Sequence, residues 1–123
     1  MGDLIQFAIA ALNISVTYDD EEAERALRAS LHCMPRDPVA WCNLAAAIYS
    51  QGGRDEETIE CALNAIRYGL DSGMGHYMLA KVASDRREWA DVRRLCRIAI
   101  ERGLSADIRN SALLALHGIG GLR

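Results

Sequence analysis

Proline and large aromatic side chains are scarce in this sequence. Its 123 residues include 2 prolines and 1 phenylalanine, and aromatic residues make up only 6% of the chain. Alanine and leucine recur throughout instead, and half of all residues are apolar. This composition disfavours a β-sheet and favours a packed core in which helices approach one another closely. The chain is therefore predicted to be all-α and, at this length, to form a single domain.

Long apolar runs are missing as well. No run approaches the roughly 18 residues that a membrane-spanning helix requires. The apolar start from Leu4 to Leu12 follows Asp3 and has no positively charged leader, which argues against a secretory signal peptide. A cytoplasmic protein without a membrane partner is the expectation.

Motifs that carry chemistry are also missing. The sequence shows no nucleophile elbow, no phosphate-binding loop and no zinc-ligand spacing, so we expect no enzymatic activity, no metal and no cofactor. The cysteines fall on apolar helical positions without paired spacing, which predicts buried thiols in a reducing compartment. These residues are Cys33, Cys42, Cys61 and Cys96.

The net charge of −3 conceals opposite charges in the two halves of the chain. Residues 1–61 hold 11 acidic and 4 basic side chains, whereas residues 62–123 hold 6 acidic and 10 basic ones. An elongated molecule whose ends differ in sign would steer a charged partner or favour head-to-tail contact between copies.

What the sequence does contain is an internal repeat between Asp37 and Ala106. With an offset of 35 residues, the first halves of two copies align as Trp41 with His76, Leu44 with Leu79, Ala45 with Ala80, and Ile48 with Ala83. With an offset of 34, the second halves align as Thr58 with Val92, Ala62 with Cys96, Ala65 with Ala99, and Leu70 with Leu104. Another copy, the first of three along the chain, precedes these two and has Phe7 in the place of Trp41. A repeat of this length with apolar residues at fixed offsets is typical of stacked helical hairpins.

Seven helices are predicted from the apolar periodicity and from helix start and stop signals. They lie at about residues 4–16, 21–32, 38–51, 55–68, 73–85, 88–102 and 106–117. Asp37 is expected to cap the third helix, and Gly52, Gly69 and Gly103 to end the third, fourth and sixth.

Three further expectations concern frayed segments and a helix face. The first turn of the fifth helix is expected to fray, because Gly73 and Gly75 would each cost about 1 kcal/mol relative to alanine inside a helix. The residues 118–123 are expected to form a frayed tail. The residues expected to face inward on the fourth helix are Ile59, Ala62, Leu63 and Ile66.

The repeats resemble the tetratricopeptide repeat family. The middle copy fits the family pattern at Trp41, Leu44, Ala45, Ile48, Thr58, Ala62 and Ala65. The third copy fits it at Leu79, Ala80, Ala83, Val92, Cys96 and Ala99, and the first, more loosely, at Phe7, Ala10, Ala11, Ile14, Ala23 and Leu27. The resemblance implies a right-handed superhelical stack of three helix-turn-helix hairpins with a C-terminal capping helix. The repeats would occupy about residues 4–36, 37–71 and 72–105, and the capping helix about 106–117.

The family's geometry places the first helix of each hairpin along a concave groove. The groove positions implied here are Ile5, Ala8, Leu12, Val39, Cys42, Asn43, Ala46, Tyr49, Met74, Tyr77, Met78 and Lys81. Most of these side chains are apolar, so the resemblance implies an interaction module or chaperone that binds an apolar peptide or amphipathic helix of a protein partner. The family's charged clamp for peptide carboxylates needs Lys, Arg and Asn at groove positions where only Asn43 matches. In size and groove character the chain is similar to small bacterial type III secretion chaperones.

Two other functions stay open at this point. Opposite charges at the two ends would suit a self-assembling structural scaffold, that is, a homo-oligomer held together by charge. The arginines of the third repeat would suit RNA binding, but the chain is acidic overall and carboxylates neighbour them in the sequence, so nucleic acid is the less favoured ligand. These arginines are Arg86, Arg87, Arg93, Arg94 and Arg97.

Overall fold

The computed structural model describes residues 19–118 and Leu122, and every regular element within them is an α-helix. The helices are α1 Asp20–Cys33, α2 Pro38–Gln51, α3 Asp55–Arg67, α4 Met74–Asp85, α5 Trp89–Arg102 and α6 Ala106–Leu116. Their bounds agree to within one residue with six of the predicted helices, so the all-α prediction is confirmed for this part of the chain. The predicted helix at about 4–16, with Ile5, Ala8 and Leu12, lies outside the described residues. None of the helices α1 to α6 has the length and apolar character needed to cross a bilayer.

Residues at the two ends of α2 determine where this helix begins and ends. The Asp37 carboxylate accepts hydrogen bonds from the backbone N–H groups of Val39 at 3.0 Å and Ala40 at 3.4 Å. Pro38 occupies the first helical position, where its missing N–H would have had no partner within the helix. At the other end Gly52 has a φ of +79°, a conformation that residues with side chains rarely adopt. These signals are local, which is why the bounds of α2 can be predicted from the sequence.

Each helix packs against the next one along the chain, and α2 also contacts α4. The buried side chains form two clusters, one centred on α2 and α3 and the other on α4 and α5. Met74 and Leu79 pack against both clusters, so the core continues along the row of helices. Alanine fills its tightest places and lets neighbouring helix backbones come close together. The alanines without any exposed surface are Ala45, Ala62, Ala65, Ala80, Ala99 and Ala112.

The start of α4 is held by close contacts, so the expectation that it frays is wrong. Gly73 and Gly75 are both buried. A Cβ atom at residue 73 would overlap the carbonyl oxygen of Ala99, and one at residue 75 would lie 2.8 Å from Cγ1 of Ile66. The N–H of Gly73 also donates to the carbonyl oxygen of Gly103 at 2.8 Å. The prediction considered helix propensity alone, whereas glycine at these positions allows α4 to approach α3 and α5.

Two side chains expected to be buried are exposed. Leu63 on α3 keeps 47% of its surface, and Cys33 at the end of α1 is also exposed. The buried positions of α3 are instead Thr58, Cys61, Ala62 and Ala65. Of the four residues expected to face inward, Ala62 is buried, Ile59 and Ile66 are half-buried, and Leu63 alone was misplaced. Small side chains fill the narrow space against the neighbouring helices, and the bulky leucine stays at the edge.

Ion pairs link two of the turns to helices earlier in the chain. Arg54, in the turn before α3, donates to both carboxylate oxygens of Glu24 on α1, at 2.7 and 2.9 Å. Arg86, in the turn before α5, lies 2.7 Å from Glu56 and 3.5 Å from Asp55 at the start of α3. Each turn is thereby tied to the helix pair that precedes it.

Candidate functional site

Four predicted groove residues follow one stripe of α2. Val39, Asn43, Ala46 and Tyr49 are spaced three or four residues apart, so their side chains lie on the same side of the helix. Val39 is 55% exposed, Asn43 is exposed, and Ala46 and Tyr49 are half-buried. The remaining predicted position of this helix, Cys42, is buried in the core, and burial raises the pKa of its thiol. The stripe is therefore most accessible at the start of α2 and more covered toward its end.

The predicted groove residues of α4 are more deeply buried than those of α2. Tyr77 and Met78 keep only 5% and 2% of their surface, whereas Met74 and Lys81 are half-buried. Tyr77 belongs to the cluster centred on α4 and α5, and Met78 to the cluster centred on α2 and α3. Tyr77 and Met78 thus contribute to the core, and Met74 and Lys81 are the accessible members of the α4 stripe.

The stripes of α2 and α4 meet at the ends of the two helices. The hydroxyl of Tyr49 donates a hydrogen bond to Oδ2 of Asp85 at 2.6 Å. The ammonium of Lys81 lies 4.8 Å from the centre of the Tyr49 ring and 6.0 Å from the centre of the Tyr77 ring. A cation above an aromatic face is attracted by the quadrupole of the ring. We call Tyr49, Lys81 and Asp85 the Tyr49 cluster.

Partial burial and the charge of Asp85 determine the electrostatics of the Tyr49 cluster. Burial and the hydrogen bond to the Asp85 carboxylate raise the pKa of Tyr49, so its hydroxyl remains a donor at neutral pH. Burial lowers the pKa of Lys81, and the charge of Asp85 opposes this change. The cluster therefore offers aromatic surface next to a cation.

Asp85 was not among the predicted groove residues. A signal for it was nevertheless present, because Asp85 lies four residues after Lys81 on the same helix and so shares its face. Tyr49 precedes Asp85 by 36 residues, close to the repeat offset of 35, so the two occupy neighbouring positions in successive repeats.

The C-terminal segment contributes a residue that the sequence did not reveal. Leu122 is 3% exposed and belongs to the same buried cluster as Tyr77 and Ala112. Its backbone N–H donates to Oγ of Ser84 at 2.8 Å. The expectation of a frayed tail is therefore wrong for Leu122. A single leucine after several glycines gives no periodic pattern from which such a contact could be predicted.

A polar cleft of about 570 Å³ opens beside the Tyr49 cluster. Asp85, a member of the cluster, is one of the residues that line the cleft. Its other lining residues are Gly53, Arg54, Asp55, Glu56 and Glu57. The carboxylates of Glu57 and Glu56 are paired with Arg54 and Arg86, at 2.8 and 2.7 Å. Among residues 19–118 and 122, no group of three or more His, Cys, Asp or Glu side chains is arranged to hold a metal ion. The cleft is an ion-paired surface at the turns.

The arginines considered for RNA binding differ in their surroundings. Arg86 is paired with Asp55 and Glu56, whereas Arg93 and Arg97 are exposed on α5. RNA binding through these arginines stays a prediction.

No protein-family model matches the sequence, and no curated protein matches it either. Function must therefore be inferred from the repeat pattern and from the contacts of these side chains.

Proposed function

We propose that this chain is a tetratricopeptide-like interaction module, without enzymatic activity, that binds an apolar peptide segment or amphipathic helix of a protein partner. The proposal is carried by the side-by-side placement of the α2 and α4 stripes, which the Tyr49 cluster joins. In stacked helical repeats, equivalent helices of successive repeats line a common binding surface. Residues about one repeat apart in the sequence meet across that surface, as Tyr49 and Asp85 do.

The accessible side chains define the ligand. Val39 and Met74 offer apolar contact, and the Asn43 amide offers both a donor and an acceptor for a peptide main chain. The stripe from Val39 to Tyr49 extends about 15 Å along α2. An extended peptide covers that length with about four or five residues. The ligand we infer is a short segment with apolar side chains and an acceptor or acidic group placed near Lys81.

Selection of displayed random peptides on the immobilised full chain tests this proposal. Peptides enriched on the wild type are then measured against two variants, Val39→Asp and the control Leu63→Asp. Both substitutions put a carboxylate on an exposed helical position, at 55% and 47% exposure, but Leu63 lies on α3 outside the two stripes. An aspartate at residue 39 suits the first turn of a helix, so folding should be kept.

Val39→Asp should weaken peptide binding at least about tenfold, because apolar contact is replaced by a desolvated charge. Leu63→Asp should leave the affinity unchanged. The proposal is refuted if no peptide is enriched, or if the enriched peptides bind Val39→Asp as tightly as the wild type. Circular dichroism of both variants shows whether the helices are intact. Tyr77→Ala and Met78→Ala are unsuitable tests, because both side chains are buried and their loss would disturb the core.

A further inference from the structure

Lys81 supplies the only side-chain primary amine of this chain. Of the 14 lysine and arginine residues, residue 81 alone is a lysine. A lysine ammonium loses its proton far more readily than an arginine guanidinium, and the free amine then carries a nucleophilic lone pair. A reaction between an amine side chain and an acylating reagent is therefore confined to a single residue of the sequence.

The ammonium of Lys81 lies beside aromatic rings and not beside a carboxylate. Its Nζ is 4.8 Å from the centre of the Tyr49 ring and 6.0 Å from the centre of the Tyr77 ring. Asp85, the one acidic residue of α4, accepts the hydrogen bond of the Tyr49 hydroxyl at 2.6 Å. Among the residues that the structure describes, none forms an ion pair with Lys81. The amine therefore lacks a close carboxylate partner that would stabilise its charged form.

Burial and nearby charge act on Lys81 in opposite directions. Half-burial of the side chain lowers the pKa of the amine, and the negative charge of Asp85 opposes this change. The rings of Tyr49 and Tyr77 favour the ammonium, but their hydroxyls stay neutral, because burial raises the pKa of both. From α3, the charge of Asp55 acts on Tyr49. Since the net effect on Lys81 is a lowered pKa, more of its amine is unprotonated near neutral pH than in an exposed lysine.

We propose that Lys81 is an acylation site, which accepts an acyl group from a small activated donor, either an acyl thioester or an acyl phosphate. The lone pair of Nζ attacks the carbonyl carbon of the donor and forms a C–N bond. The bond from that carbon to sulfur or to the phosphate oxygen breaks, and the thiolate or phosphate leaves with the electron pair. Nζ releases a proton to solvent, so the product is a neutral amide.

Acylation removes the cation from the Tyr49 cluster. A neutral amide loses the attraction of the ammonium to the ring of Tyr49, and it can no longer pair with an acidic group of a bound peptide. The loss of peptide pairing rests on the proposed function, because it treats the α4 stripe as part of a peptide-binding surface. The acylation itself does not depend on that function and can be tested without any peptide.

Timed reaction of the full chain with acetyl phosphate, and separately with acetyl-coenzyme A, tests the site. Mass spectrometry of the proteolytic fragment that contains residue 81 measures the acetylation rate in native buffer and in guanidinium chloride, where the chain is unfolded. The unfolded chain presents the same amine without its surroundings and is the matched reference. At about pH 8 the folded chain should react at least about threefold faster, because a lowered pKa increases the fraction of free amine. Acceleration with one donor alone identifies the source of the acyl group.

Asp85→Asn provides a second measurement, and Asp71→Asn, at an exposed aspartate between α3 and α4, is its control. Loss of the Asp85 charge should lower the pKa of Lys81 further and speed acetylation at least about twofold, whereas Asp71→Asn should leave the rate unchanged. Circular dichroism shows whether both variants keep their helices. Lys81→Arg keeps the positive charge and should receive no acetyl group at this position.

The inference fails if the folded chain reacts no faster than the unfolded chain with either donor. It also fails if Asp85→Asn, with its helices intact, reacts no faster than the wild type. The peptide-binding test uses Val39 on α2 and involves no acyl donor, so either idea can fail while the other stands.

Discussion

The hydroxyl of Tyr49 lies 2.6 Å from Oδ2 of Asp85 and ties the end of α2 to the end of α4. These helices do not follow one another in the chain, since α3 separates them. The bond therefore joins two helices across α3, just as the ion pairs of Arg54 and Arg86 join turns to earlier helices. Because its acceptor is a carboxylate, it belongs to the stronger class of hydrogen bonds.

Tyr49→Phe should lower the free energy of unfolding by about 1.5–3 kcal/mol, because the ring is kept while the bond to the Asp85 carboxylate is lost. Urea denaturation followed by circular dichroism measures the change. Tyr68→Phe, which removes a hydroxyl from the half-buried residue that ends α3, serves as the control. Equal losses for the two variants would contradict a specific role of the Tyr49 bond.

Gly73→Ala should destabilise the fold by about 2–3 kcal/mol or more, because the new methyl group overlaps the carbonyl oxygen of Ala99 and one of the helices must move. Gly52→Ala is the comparison, because Gly52 has a positive φ but open space around it. Its cost should be about 1 kcal/mol, from backbone conformation alone. Thermal and urea denaturation distinguish the two effects, and a smaller cost at residue 73 than at residue 52 would show that α4 and α5 are not in close contact.

Glu24 should make stability depend on acid. Hydrogen bonds from Arg54 and Gln51 hold the pKa of its carboxyl well below the ordinary value of 4.5. Since the pKa is lower in the folded than in the unfolded state, the stabilisation is complete above about pH 5 and is lost as the pH falls toward the folded-state value. Glu24→Gln should cost about 1–3 kcal/mol at neutral pH and much less in acid.

Denaturation curves of Glu24→Gln and the wild type, recorded at about pH 7 and about pH 3, check this pH dependence. Glu22→Gln, which removes an exposed carboxylate from the same helix, is the control and should be nearly neutral. A difference between wild type and Glu24→Gln that does not shrink in acid would rule out the carboxylate as the cause.

One thiol in four should react rapidly with Ellman's reagent in the folded protein. Cys33 is exposed, whereas Cys42, Cys61 and Cys96 are buried. Burial raises the pKa of Cys61 to about 11, so its nucleophilic thiolate is scarce at neutral pH. Cys33→Ser should abolish the rapid reaction, and all remaining thiols should react once the protein is unfolded. Two or more rapidly reacting thiols in the wild type would contradict this burial pattern.

Helix positions were predictable from the sequence because their determinants are local. Asp37 accepts hydrogen bonds from N–H groups two and three residues ahead, and Gly52 and Gly69 allow positive φ angles where α2 and α3 end. Neither effect depends on distant parts of the chain. The helix faces were less predictable, as Leu63 shows. Its exposure depends on how closely the neighbouring helices approach α3, which no local pattern specifies.

The repeat anticipated that α2 and α4 lie near each other, whereas a binding site on them stays a prediction. The offset of 35 residues placed the α2 and α4 residues in equivalent positions, and the structure brings Tyr49 and Lys81 together. The sequence did not indicate that Tyr77 and Met78 would be buried, nor that Asp85 would accept the Tyr49 bond. These outcomes depend on side chains that arrive from other helices.

By itself, the sequence determined that the described chain is helical and where its six helices begin and end. Helix caps, glycines and apolar spacing act over a few residues, so they can be recognised in the sequence alone. The tertiary structure decided that Gly73 is a contact point between α4 and α5, that Tyr49 bonds to Asp85, and that Leu122 is buried beside Ser84. Each of these joins residues about 26 to 38 positions apart, and such contacts exist only once packing has brought the helices together.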